Sequence, residues 1–379
     1  MRRLLIAISG FVYKGIIKKI LFLIDSESVH RKTVTLGHWL GKRKFINKII
    51  SSIFQVSNPI LEQSIFNLKF VSPVGLAAGF DYEGRLTQIL PSIGFGFGTI
   101  GTLTNLPYEG NPQPRMGRLP TSRALMVNKG FKNLGVKQTL TNLEKHKFVY
   151  PVGISIGKTN TDSHKTLNEA ISDVVSAFKT AESSNTSFSY YELNISCPNL
   201  NGSIEFYEPE HLNTLLNTLG YLEISRPVFV KMPISKSNDE IKNMMSVIVK
   251  YPYIKAVILG NLQKDRSHPT LMREEVEKFP KGNFSGLPCK DRSDELIALI
   301  YKDFGERIKI IGCGGIFSAE DAYKKIKLGS SLVELITGLV FEGPQLVSEI
   351  NCDLVKLIKK DGYASISEAV GTAHPTKGV

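Results

Sequence analysis

The segment Asn194-Ile195-Ser196-Cys197-Pro198-Asn199 sets two side-chain amides around one thiol, and Pro198 ends the apolar run that carries them. An amide both donates and accepts hydrogen bonds, so several together can read a ligand that alternates C=O and N–H groups. A thiol of ordinary pKa, about 8.5, can exchange a proton with such a ligand. A lone cysteine is most often a small buried apolar residue. One placed between two asparagines at the end of an apolar run reads as functional. Lys231 closes a second apolar run, Val228-Phe229-Val230-Lys231. An uncompensated ammonium there is costly, so it is expected to face a polar ligand atom. A third amide, Asn261, follows Leu259-Gly260. Small residues recur at similar places: Ala77-Ala78-Gly79, Ser285-Gly286, Gly312-Cys313-Gly314-Gly315 and Thr337-Gly338. The first cluster lets a flat ligand approach the backbone, and the later ones suit a phosphate. Any one of them alone would read as a tight turn.

These residues need elements to position them. Short apolar runs at Val74–Gly79, Phe97–Gly101, Val152–Ile156, Tyr191–Ile195, Val228–Lys231, Ala256–Leu259, Ile308–Gly312 and Leu332–Ile336 alternate with amphipathic helical patterns. The clearest helical stripe is Leu167, Ile171, Val174, Val175 and Phe178 within Thr166–Thr180. Further helices are expected near Asn238–Val249, Arg292–Phe304 and Ala319–Lys327. Near-continuous apolar strands are those buried on both faces of a parallel sheet, and eight such units predict an α/β (β/α)₈ TIM barrel. A doubly wound sheet fits less well. No GxGxxG opens a helix after the first strand, and Gly94-Phe95-Gly96-Phe97-Gly98 runs into a strand instead. In a barrel the chemistry sits at the C-terminal strand ends, where the amides, thiol, lysine and glycines all fall. Four widely spaced cysteines with no CxxC pair give no metal site and no disulfide framework. A phosphate-bearing cofactor, a lysine near its ring and an amide-lined pocket with a thiol indicate flavin mononucleotide (FMN) and proton-coupled hydride transfer.

The chain has 379 residues and a formal charge of +12, which raises nucleic acid, a membrane surface or an anionic ligand as partners. Residues 1–60 carry eleven Lys and Arg against Asp25 and Glu27, or +9, which leaves +3 for the rest. Apolar stretches Leu4–Val12 and Ile16–Ile24 are broken by Lys14, Lys18 and Lys19, and neither is long enough to cross a bilayer. Lys14 and Lys18 share one helical face, while Ile17, Ile20, Leu21 and Ile24 share another. A second segment, Ser28–Leu40, leads through Gly41-Lys42-Arg43-Lys44 to Phe45–Phe54. Basic amphipathic helices of this kind read as an interfacial membrane anchor formed by residues 1–54. A cleaved leader is the weaker reading, because no small-residue site follows Ile24; helices that merely cap the barrel are the other alternative. The expected division is a helical extension over residues 1–58 and a barrel over 59–379.

Taken in order, these motifs resemble the dihydroorotate dehydrogenase family, in particular its membrane-associated, quinone-linked class. The likeness runs through Ile24-Asp25-Ser26-Glu27-Ser28-Val29-His30, Pro73–Asp81, Gly110-Asn111-Pro112-Gln113-Pro114-Arg115 and Gly130-Phe131-Lys132-Asn133. It continues through Asn194–Asn199, Ser285-Gly286, Ile310–Gly315 and Gly343-Pro344. The resemblance implies oxidation of (S)-dihydroorotate to orotate in the biosynthesis of UMP, by a peripheral protein on the cytoplasmic face of a bacterial inner membrane or on a mitochondrial inner membrane. It implies FMN held by Ala77, Ala78, Gly79, Thr102, Asn194, Lys231, Ser285, Gly286, Gly315 and Thr337. The pyrimidine would be held by Asn128, Asn194, Asn199 and Asn261. Cys197 would remove the C5 proton while C6 delivers hydride, and the electrons would pass to a membrane quinone.

Several positions depart from the family pattern. The base is Cys197, as in the soluble classes, where the quinone-linked class usually has serine. Tyr82 stands where the family has a substrate-contacting lysine. The expected Asn-Arg before Gly130-Phe131 reads Val127-Asn128, a family asparagine is Ser155, two threonines beside Asn261 are Gly260 and Leu262, and a tyrosine is Ile336. The substrate end departs most. A flavin enzyme for another cyclic amide or enone is therefore a second reading, and an RNA-directed dihydrouridine synthase a third. The near-neutral barrel, with its positive charge interleaved among Ile, Leu and Phe, argues against nucleic acid.

Overall fold

The computed structural model describes residues 1–201 and 204–374. Eight parallel strands close into a barrel: β1 (Val74–Leu76), β2 (Phe97–Leu103), β3 (Val152–Ile156), β4 (Tyr190–Asn194), β5 (Val228–Met232), β6 (Ile254–Leu259), β7 (Lys309–Cys313) and β8 (Leu332–Leu335). Each pairs with its neighbours in chain order, and β8 closes on β1 with Val333 opposite Val74. All eight match the apolar runs of the sequence. The first stops at Leu76 rather than Gly79, because the chain turns there and Gly79 adopts φ +111°.

Helices Leu167–Glu182, Asn238–Ile248, Lys290–Phe304 and Ala319–Lys327 fall where the stripes predict them. Two begin with capping boxes, Thr166 with Glu169 and Ser237 with Glu240, which satisfy otherwise orphaned N–H groups. Their apolar faces bury Ile171, Val174 and Phe178, and Ile241, Met244 and Met245, against the strands. Below the barrel the hairpin Gln63–Ile65/Leu68–Phe70 plugs the N-terminal strand ends, where Phe70, Phe97, Tyr190 and Phe229 form one buried cluster.

Two features above the barrel frame the site. A three-stranded antiparallel sheet of Met116–Leu119, Ala124–Val127 and Asn283–Gly286 stands at the mouth. Across it lie the N-terminal helices. Arg2–Val12 continues through a wider turn at Tyr13–Ile17 into Lys18–Phe22, and Ser26–Gly41 and Lys44–Phe54 follow. No helix among the described residues is long and apolar enough to cross a membrane.

The docking of these helices is polar as well as apolar. Asp25 caps Ser26–Gly41 by accepting from the Ser28 N–H. Ser26 Oγ donates to the Met116 carbonyl at 2.6 Å, and Glu27 pairs with Arg115 at 3.3 Å. Val34 packs with Leu86 and Ile89, and Tyr13 Oη donates to the Val340 carbonyl at 2.8 Å. The motif Ile24–His30 is thus the hinge by which the extension seats on the barrel mouth.

Candidate active site

A cavity of about 570 Å³ opens at the C-terminal ends of the strands and continues between the N-terminal helices. Its floor is made by Ala78, Gly79, Thr102, Asn194, Lys231 and Ser285, and one wall by Cys197, Asn199 and Asn261. Toward the helices the lining turns apolar, with Leu36, Leu40, Phe54 and Leu339 among it. Residues from five barrel strand ends and Ser285 of the mouth sheet therefore meet in one space.

A buried polar network sets the floor. Ser155 Oγ donates its one proton to Glu192 Oε1 at 2.7 Å, so the 2.8 Å contact between Ser155 and Thr102 has Thr102 as donor. Thr102 in turn accepts from Asn194 Nδ2 at 2.8 Å. Glu192 also lies 3.8 Å from Lys231 Nζ. The buried ammonium is therefore compensated from inside the barrel while it still lines the cavity. Burial alone would lower the Lys231 pKa, but the surrounding acidic groups, Glu192 foremost, outweigh it and hold it raised. Glu334, wholly buried beside Glu192, is pushed the other way, toward protonation, by burial and by the like charge. One lysine thus faces two carboxylates that do not both need to ionise.

The Asn194–Asn199 turn is knit internally. Asn194 Oδ1 accepts from the Ser196 N–H at 3.2 Å and from Ser196 Oγ at 3.0 Å, and Asn261 Nδ2 donates to Ser196. Asn199 Nδ2 donates to the Val127 carbonyl at 3.1 Å, and its Oδ1 accepts from Asn283 at 2.7 Å. Cys197 is half-buried and lines the cavity. Burial pushes its thiol up to about 12, with the Asn199 N–H, Lys231 and Lys264 pulling partly back. It rests as a thiol, well above the ordinary value that sequence alone supplies.

At the other end, Ser285 Oγ and Thr337 Oγ1 lie 2.8 Å apart, and Gly286, Gly314 and Gly315 all take positive φ. A Cβ on Gly286 would strike the Arg123 carbonyl and Thr337, so only glycine permits this close approach. Gly286, Gly315 and Thr337, like Ala77, stand just behind the lining rather than in it. Asp81 is structural: it accepts from the Arg85 and Leu86 N–H groups at 2.9 and 2.7 Å.

Asn128 is a correction. It does not line the cavity; its Oδ1 accepts from Asn111 Nδ2 at 3.0 Å on the opposite face of the extended segment. Side chains alternate along such a segment, so Val127 and Lys129 face the cavity instead. Three further lining groups have no role among the expectations drawn from sequence. Lys129 Nζ stands 4.5 Å from the Tyr82 ring centroid, and His30 donates from Nε2 to the Phe80 carbonyl at 2.8 Å. Arg118 donates to the Ile24 carbonyl at 2.7 Å and covers Phe22. Each lies far in sequence from the Asn194–Asn199 motif, and only the charge of Lys129 and Arg118 would have marked them.

The closed parallel barrel, with a deep cavity at its C-terminal mouth and titratable groups on the cavity wall, defines a (β/α)₈ barrel enzyme. Residues 60–358 match the family described as dihydroorotate dehydrogenase. Curated relatives named dihydroorotate dehydrogenase (quinone) include one from Trichormus variabilis, 33% identical over 375 residues (95% of this chain, 98% of the relative). Another, from Sulfurovum sp., is 34% identical over 361 residues (94% and 97%). Among solved structures, the Eimeria tenella dihydroorotate dehydrogenase in complex with ferulenol superposes with a TM-score of 0.81 at 26% identity, covering 92% of this chain and 96% of that one. This chain belongs to the dihydroorotate dehydrogenase family, whose members are oxidoreductases acting on CH–CH bonds.

Proposed function

We propose that this protein oxidises (S)-dihydroorotate to orotate with FMN as cofactor, Cys197 as base and a membrane quinone as electron acceptor. The observation that carries the reading is the convergence of Cys197, Asn194, Asn199, Asn261 and Lys231 on one cavity.

The cavity suits a flat flavin. A Cβ built on Gly79 would meet nothing within 4 Å but Ile336 Cδ1, at 3.7 Å, so the glycine leaves open space where a ring could lie against the backbone. Lys231, fixed by Glu192, offers a charged donor from the floor, and Thr102 and Asn194 offer oriented polar groups beside it. Ser285, Gly286, Gly315 and Thr337 form the small-residue end suited to a phosphate. When bound there, FMN supplies a two-electron acceptor for the hydride that leaves C6.

The chain's own residues do the rest. Asn194, Asn199 and Asn261 present amides to the ring C=O and N–H groups. Cys197 receives the C5 proton on Sγ. Helices Arg2–Phe22 and Ser26–Gly41 keep bulk water off the thiol. The cavity's apolar continuation between them gives a quinone a route inward.

The same helices support peripheral membrane binding. Leu4, Phe11, Ile16, Ile20 and Leu23 are exposed on the first, and Trp39 and Phe45 on the next two, close to Lys18, Lys19, Arg43 and Lys44. Apolar side chains rimmed by cations suit an anionic lipid surface.

The cofactor reading is checked by purification. The protein is expected to be yellow and to release one FMN on denaturation; colourless protein that cannot be reconstituted with FMN would contradict it.

A further inference from the structure

Lys129 is the unexplained charge of the cavity. It is 5% exposed, yet no carboxylate among the described residues lies within ion-pair distance of its Nζ. Of the other lysines as buried, Lys231 and Lys325 each have one, Glu192 at 3.8 Å and Asp294 at 2.7 Å, and Lys158 lies in the field of Asp173, Asp162 and Glu205. The Lys129 ammonium instead rests over the Tyr82 ring, 4.5 Å from its centroid. A cation–π contact compensates part of the lost hydration but satisfies no N–H donor. Its neighbours add no negative charge: His30 is held neutral, its pKa lowered to about 4 by burial and then by Lys129 itself.

The position is specific. The backbone that carries Lys129 is tied to the thiol-bearing turn, since Asn199 donates to the Val127 carbonyl and Asn111 donates both to the Asn199 carbonyl and to Asn128. The Asn111 N–H also donates to the carbonyl of Lys129 itself at 3.2 Å. Lys129, Cys197 and Asn199 therefore share one wall of the cavity. Lys231 is not free as the counter-charge for an incoming anion, because Glu192 pairs with it at 3.8 Å and the reading above gives it to the flavin. Arg115 is paired with Glu27, and Arg118 is engaged with the Ile24 carbonyl at the helical end.

We infer that Lys129 is the specificity-determining cation of this site and that it binds the carboxylate of the substrate. The inference rests on the pyrimidine-acid reading above and deepens it. A carboxylate at this point completes the hydrogen bonds of the ammonium, and Tyr82 holds the lysine stem in place between turnovers. Val127, Leu262 and Ile336, which also line the cavity, are apolar and supply no other counter-charge.

The test is calorimetric titration of the purified holoprotein with orotate and with its neutral methyl ester, for the wild type, Lys129→Gln and Lys129→Arg. Thermal melting confirms that each variant folds. Loss of one charge-assisted contact is expected to weaken orotate on the order of 10- to 100-fold in Lys129→Gln. Lys129→Arg is expected to recover most of that loss, and the ester to bind wild type and Lys129→Gln alike. Orotate binding to Lys129→Gln within twofold of the wild type overturns the assignment alone. Absence of orotate binding by the wild type overturns the pyrimidine reading, and the assignment with it.

Discussion

Lys231 Nζ stands 3.8 Å from Glu192 Oε1 beneath the cavity floor, with both side chains buried in the barrel. The carboxylate belongs to β4 and the ammonium to β5, and the two strands pair so that Asn194, at the end of β4, lies opposite Lys231. The amide that faces the cavity and the lysine that faces it are therefore fixed by one interior ion pair and by the chain Asn194–Thr102–Ser155–Glu192.

Removing Glu192 tests that dependence. Glu192→Ala leaves a buried ammonium short of its nearest partner and Ser155 without its acceptor. The expected cost is about 3–5 kcal/mol of stability, read as a lower denaturation midpoint, with loss of bound flavin. A midpoint within error of the wild type would contradict the role given to this pair.

With Cys197 as the proposed base, its thiol sets the expected pH profile. The thiol is pushed up to about 12, so the thiolate that would accept the C5 proton in the proposed reaction is a minor species at neutral pH. The productive fraction grows as pH rises and levels only near that value. Stopped-flow rates of flavin reduction by dihydroorotate should rise about tenfold per pH unit between pH 7 and 9. Cys197→Ala should lose about 10²–10⁴ in that rate while keeping its flavin. A flat profile, or an unchanged rate in the alanine variant, would remove the thiol from the role.

Much of this architecture is legible in the sequence, and the misreadings have physical causes. The eight strands stand out because parallel strands buried on both faces are nearly all apolar. The Asn194–Asn199 turn, Lys231 and the glycine clusters stand out because their residue types are unusual at strand ends. Asn128 misleads because a one-residue step along an extended segment reverses the face, and composition does not show register. Lys129 hides in a polar stretch where a lysine is ordinarily solvated. The raised Cys197 pKa and the Glu192 partner of Lys231 arise from groups brought together only by barrel closure. The small sheet at the mouth escapes notice because its strands are four residues long and one of its two pairings spans more than 150 positions of sequence.

His30 links the extension to acid sensitivity. Its folded-state pKa is lowered to about 4 from 6.5, so the unfolded chain binds the proton more readily between those values. The stability it contributes is full above about pH 6.5 and falls as pH drops toward 4, by up to about 3 kcal/mol. His30→Gln should flatten that part of the stability–pH curve in denaturant titrations. Equal acid sensitivity in the two proteins would place the titrating group elsewhere.

Trp39, the chain's one tryptophan, is about half exposed on helix Ser26–Gly41, near Arg43. It reports on membrane docking without a label. Vesicles rich in phosphatidylglycerol should shift its emission to shorter wavelength, and high salt should weaken the effect by screening the basic segment. No shift at any vesicle concentration would argue that these helices only cap the barrel.

The central claim is that this cavity takes hydride from dihydroorotate. Anaerobic mixing of the purified holoprotein with (S)-dihydroorotate, followed by flavin absorption, tests it most directly. Full bleaching is expected, with release of one orotate per flavin and recovery of the absorption on addition of a quinone. Flavin that stays oxidised with dihydroorotate, yet bleaches with dithionite, would contradict it.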